Sequence, residues 1–192
     1  MDFPSRPSSA SRQCRHHPRR AEGPSLTLEP RRVPLDWDEL ELALEMRSDE
    51  WASYLDVRTG EIRVSRIDPF GGEREDQELT DEEVEAGLAD GTLIAVEPLE
   101  SSVEYAWMAA FADAVPDARV RRALQQTLGG GRPFRRFKDA LAAAHPRERE
   151  EWFAFRGERL RDAVREWLAD HNIEPTTKPP ARSGQAARRG AP

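Results

Sequence analysis

The chain has 192 residues, 38% hydrophobic and 34% charged, which is enough apolar content for the core of one domain beneath a very polar surface. Its net charge of -7 is unevenly placed: residues 1 to 32 and 175 to 192 each carry four surplus positive charges, leaving fifteen surplus negative charges on residues 33 to 174. Such an acidic body repels nucleic-acid phosphates at long range, so a dedicated nucleic-acid binder is disfavoured unless a local basic patch overcomes the field.

Residues 1 to 32 are rich in Pro, Ser and Arg without apolar periodicity, and they read as a disordered basic tail. The single cysteine, Cys14, falls in this tail, so an intrachain disulfide is excluded and a reducing compartment is expected. No stretch approaches the roughly 20 apolar residues that cross a bilayer, and Arg19-Arg20 is not followed by an apolar segment. No membrane role is expected, and the expected location is cytoplasmic.

Residues 33 to 174 read as a single α+β domain, with an α/β lobe over 33 to 98 and a helical lobe over 100 to 174. Asp36 caps a first helix to about Met46, with Glu39 placed to reach back to the cap. Trp37, Leu40 and Leu44 share its apolar face. A hairpin over 51 to 66 follows, with its turn at Arg58-Thr59-Gly60 and with Trp51, Ser53, Leu55 and Val57 on one face. Residues 68 to 78 read as a loop. Thr80 with Glu83 opens a short helix that stops at Gly91, and a third strand of a small antiparallel sheet lies near 92 to 96.

The period then turns helical for a four-helix C-terminal part. Ser101 or Ser102 caps a helix through Val115 that buries Tyr105, Met108 and Phe111 or Ala112. Pro116 begins one carrying Val120, Leu124 and Leu128; Pro133 begins one with Phe134, Phe137 and Leu141 inside. Pro146 begins the last and longest, with Phe153, Leu160, Val164 and Trp167 on its inner stripe and Asn172 at its end. Residues 175 to 192 read as a second disordered basic tail.

The most distinctive chemistry is the segment Gly129, Gly130, Gly131, Arg132, Pro133, Phe134, Arg135, Arg136, Phe137, Lys138. Glycines before a helix leave amide donors at its positive end, and Arg132, Arg135, Arg136 and Lys138 add charge, so the segment is a candidate anion or partner site. It is not a P-loop, because the Gly-Lys-Ser/Thr ending is missing and Pro133 removes an amide donor. Pairing of these arginines with the chain's own carboxylates is the competing reading, and the surplus of acid favours it over phosphate binding.

The acids Asp36, Asp38, Glu39, Glu41 and Glu45 lack calcium-loop spacing and read as a solvated face. His145 and His171 have no second histidine or cysteine at ligand spacing, so neither metal nor cofactor is expected. No Gly-x-Ser-x-Gly elbow and no cysteine outside the tail offer a nucleophile, and no catalytic residue is assigned. Trp152, Phe153, Phe155 and Trp167 read as core rather than as a groove.

Three stretches together resemble the bacterial uncharacterised protein family 0158: Trp51-Ala-Ser-Tyr-Leu-Asp-Val-Arg-Thr-Gly-Glu-Ile, Gly131-Arg-Pro-Phe-Arg-Arg-Phe-Lys-Asp139, and Glu151-Trp-Phe-Ala-Phe-Arg with Glu166-Trp-Leu. The resemblance spans Val33 to Glu174 and implies an α+β fold in a cytoplasmic bacterial protein, with no catalytic residue to transfer. The chain departs from the family pattern at Pro133, where a small residue is usual, and at Gly157, where an acid is usual; both weaken an anion site at that helix start. The leading expectation is a non-enzymatic protein-binding or regulatory protein. A weak nucleic-acid-associated protein using the Gly-Arg helix start, or a phosphate-ester or nucleotide enzyme, stand as alternatives.

Overall fold

A computed structural model describes residues 29–67, 78–144 and 146–180. The expected tails lie outside the described residues over 1–28 and 181–192, as do most of the expected loop and His145. Among the described residues no helix is long and apolar enough to cross a membrane.

The elements are, in order, β1 (Arg31–Val33), α1 (Trp37–Glu45), β2 (Trp51–Asp56), β3 (Ile62–Arg66), α2 (Asp81–Asp90), β4 (Leu93–Val96), α3 (Ser101–Ala114), α4 (Ala118–Leu128), α5 (Pro133–Ala143), α6 (Pro146–Asp170) and β5 (Ile173–Pro175). The fold is α+β as expected, with a three-stranded antiparallel sheet in the order β3-β2-β4 followed by four helices. Leu55 faces Ile62 on one side and Ile94 on the other, so these three side chains share the face turned to the core. The buried Asp56 shapes the hairpin turn by accepting from the N–H groups of Arg58 and Thr59, and Gly60 follows at φ +79°.

Several local signals act at slightly different atoms than expected. Asp36 caps α1 by accepting from Asp38 and Glu39, but the Glu39 carboxylate turns away to accept from Ile62 N–H at 3.4 Å, joining α1 to the edge of β3. The box at Thr80 and Glu83 is complete in both directions. Helix α3 starts one residue earlier than the serines suggested, with Glu100 as an N-cap that makes no side-chain cap bond. Pro116 sits outside α4, whose true cap is Asp117.

A second sheet was not expected. Strand β1 pairs in parallel with β5, Arg31 opposite Ile173 and Val33 opposite Pro175, so Arg31, Arg32 and Pro175 lie in ordered structure rather than in tails. The chain beyond β5 stays attached: Thr176 donates to Val33 O, Thr177 to Leu35 O, and Trp37 Nε1 donates to Thr177 O at 3.2 Å.

Two buried clusters result. One joins Val33, Leu35, Leu40, Leu44, Leu55 and Val96 to Leu160, Val164 and Leu168 of α6. The other joins Met108, Phe111 and Ala112 of α3, Leu124 of α4, Phe137 and Leu141 of α5, and Trp152 of α6. Helix α6, at 25 residues, therefore lines both cores, one with each half. Phe153, expected on its inner stripe, is instead exposed, with Arg149 5.8 Å from its ring centroid. Position 152 takes the buried place: Trp152 meets Phe111 and Phe137 edge-on at 5.2 and 5.0 Å. Tyr105, expected inside, is partly exposed and donates to Leu128 O.

Candidate functional site

The Gly-Arg segment forms the corner between α4 and α5. Helix α4 ends at Gly129, the chain passes through Gly130 and Gly131, and Arg132 enters the left-handed region at φ 56°, ψ 52° before Pro133 opens α5. A non-glycine residue held there costs on the order of 1 kcal/mol, a strain that the tight corner imposes.

The four cations of the segment have separate fates. Arg136 folds back over Gly130 and donates to Gln126 O at 3.4 Å, placing a cation on the negative end of α4. Arg135 faces Asp139 across one helical turn at 3.9 Å with both side chains in water, a pair of little energetic weight. Arg132 and Lys138 are exposed, and among the described residues no carboxylate lies within ion-pair distance of either. Of the four, one pairs with a carboxylate and one caps a helix end through a backbone carbonyl.

Two further cations lie along α4, the helix that leads into this corner. Arg119 and Arg122, with Ala118, Ala123 and Gln126, line a shallow groove along the outer face of α4. The carbonyl of Gln126, at the end of this groove away from Arg119, is the one that Arg136 reaches. Sequence reading missed these arginines, although the i, i+3, i+7 spacing of Arg119, Arg122 and Gln126 marks a single helical face. Neither has a carboxylate within ion-pair distance among the described residues. The groove is open on its outer side, suited to a surface that lies along it.

The remaining arginines of interest are committed to the fold. Arg156 of α6 bridges Glu45 of α1 and Glu104 of α3, where the two cores meet. Burial opposes its charge, yet hydrogen bonds and charge from Glu104 and Glu45 outweigh that cost and hold the guanidinium pKa above its ordinary value. Arg47 binds the second oxygen of Glu104 and donates twice to Leu99 O, and Arg161 pairs with Glu41. Thus two acids of the α1 face, expected to be solvated, are half-buried partners of α6. Among the described residues no group of three His, Cys, Asp or Glu side chains is placed to hold a metal ion.

Over residues 32–182 the chain matches the model of a family described as Uncharacterised protein family (UPF0158). It is also 27% identical over 150 residues to the UPF0158 protein PA5073 of Pseudomonas aeruginosa, covering 77% of this chain and 90% of that relative. No solved structure matches it. The hairpin, the Gly-Arg corner and the Trp152 helix that carried the resemblance all fall inside the matched region, and the chain belongs to the uncharacterised protein family UPF0158.

Proposed function

We propose that this chain is a non-enzymatic binding protein whose α4–α5 corner docks an acidic protein surface. The observation that carries this reading is the set of exposed cations with no carboxylate at ion-pair distance among the described residues, Arg119 and Arg122 along α4 and Arg132 and Lys138 at the corner it leads to, in a chain with an excess of acid. Elsewhere that excess draws arginines into pairs, as at Arg47, Arg156 and Arg161. Cations left unpaired in such a chain are available to an outside partner.

A short acidic segment suits this corner better than a nucleic acid does. A polyanion extends beyond the patch and meets the acidic remainder, whereas a helix or loop of a protein ends where the patch ends. The open groove also favours binding over catalysis, since a catalyst gains from enclosing its substrate away from water.

The test is fluorescence anisotropy with a labelled polyglutamate peptide, and separately with a labelled mixed RNA and DNA pool, each at low and moderate salt. The expected result is peptide binding that salt weakens and that Arg119→Glu with Arg122→Glu, or Arg132→Glu with Lys138→Glu, abolishes. Binding of the nucleic acids with the same dependence, and not of the peptide, would move the chain to a nucleic-acid role. Binding of neither would sink the docking reading.

A further inference from the structure

We infer that the acidic surface received by the α4 groove is helix α2 of a second copy of this chain. The inference rests on the docking reading of the α4–α5 corner and names its occupant.

Helix α2 carries Asp81, Glu82, Glu83, Glu85 and Asp90 and has no basic residue in its last turn. Its attachment is one-sided: Gly87 lies so close to β4 that an added Cβ would sit 2.5 Å from Leu93 Cγ. With that face against the sheet, a helical turn of 100° per residue puts Glu82, Glu85, Ala86 and Ala89 on the opposite, solvent-facing side, and all four are exposed. Among the described residues no cation lies at ion-pair distance from Glu82 or Glu85, so none of those residues neutralises the stripe.

The spacing of the two stripes matches. On α2 the acids and alanines fall at i, i+3, i+4 and i+7; on α4, Arg119, Arg122, Ala123 and Gln126 fall at the same four steps. Alanine at i+4 on both helices allows close approach of the backbones, while the glutamates of one stand against the arginines of the other. Among the described elements α4 packs on α3 and α5 and α2 packs on β4, and both stripes lie on exposed faces. A pair of chains related by a two-fold axis makes the α2–α4 contact twice, which closes the assembly. The exposed Leu88, 45% accessible, flanks the stripe and adds apolar area to the contact.

Sedimentation velocity of the full chain at low and moderate salt tests this, with circular dichroism confirming that each variant is folded. The expected result is a dimer at low salt that dissociates as salt rises. Arg119→Glu with Arg122→Glu, and separately Glu82→Arg with Glu85→Arg, should each weaken association by about tenfold or more, because like charges then face each other. An equimolar mixture of the two variants should associate again, since both contacts regain opposite charges in the mixed pair. A wild-type chain that stays monomeric at low salt while still binding polyglutamate would overturn the inference and leave the docking reading standing; a mixture that fails to reassociate would overturn the α2–α4 assignment.

Discussion

At Gly60 the backbone φ of +79° and the space beside Cα impose the same requirement. A Cβ there would lie 2.0 Å from Pro34 O, a backbone atom of the segment that carries β1 into α1. Gly60→Ala should therefore destabilise by at least about 2 kcal/mol in urea unfolding, the left-handed penalty adding to displacement of that segment. Gly129 has nothing within 4 Å of such a Cβ and a negative φ, so Gly129→Ala should be neutral or stabilise by about 0.5 kcal/mol through the unfolded chain. Arg132 reverses the logic: a charged residue occupies a conformation that glycine prefers, at φ 56°. Arg132→Gly should raise stability by about 1 kcal/mol while weakening capture of the polyglutamate peptide, a trade that marks a position held against strain for contact. If the peptide binds the Gly variant as well as wild type, Arg132 has no part in docking.

Between elements, Arg156 bridges Glu45 of α1 and Glu104 of α3. These side chains are 28%, 30% and 21% exposed, so they are screened less than surface pairs yet are not fully desolvated. Arg156→Met should cost about 2 kcal/mol by urea unfolding, mostly from leaving Glu45 without its partner. Adding Glu45→Met should recover most of that loss, because Glu104 retains Arg47 and the new methionines can pack together. The N-cap of α4 gives a separate signature in pH. Hydrogen bonds from Val120 and Arg119 N–H hold the Asp117 carboxyl below its ordinary value of 3.8. A folded-state pKa below the unfolded one means that the ionised cap stabilises above pH 3.8, and that this contribution fades as pH falls through the lowered folded value. The stability gap between wild type and Asp117→Ala should accordingly be constant near neutrality and narrow in acid, as urea midpoints across pH would record.

Across the whole molecule, what was legible in the sequence was what neighbouring residues decide. The hairpin followed from alternating side chains around Gly60, α2 from the box at Thr80 and Glu83, and the starts of α5 and α6 from Pro133 and Pro146. The contacts that unite the chain were not legible, because they join residues far apart. Arg156 finds Glu45 and Glu104 at separations of 111 and 52 residues, and nothing local distinguishes it from other arginines of α6. The same holds for the site, where four cations next to the glycines stood out but the outward stripe of Arg119 and Arg122 on α4 did not. Most hidden was the pairing of β1 with β5, two strands of three residues each that lack any alternation long enough to read. That pairing makes a specific demand on stability. Ile173 is 6% exposed in the first core, and the bonds from Thr176 and Thr177 hold the segment over Val33, Leu35 and Trp37. Ending the chain after Asn172 removes the side chain of Ile173, worth about 1.5 to 3 kcal/mol on burial, together with the strand bonds, and it opens Trp37 to water. The shortened chain should unfold at lower urea by about 3 kcal/mol or more, and comparison with a Trp37→Phe background should assign a red-shifted native emission to Trp37. An unchanged midpoint and spectrum would mean that the C-terminal strand rests on the first core without helping to hold it.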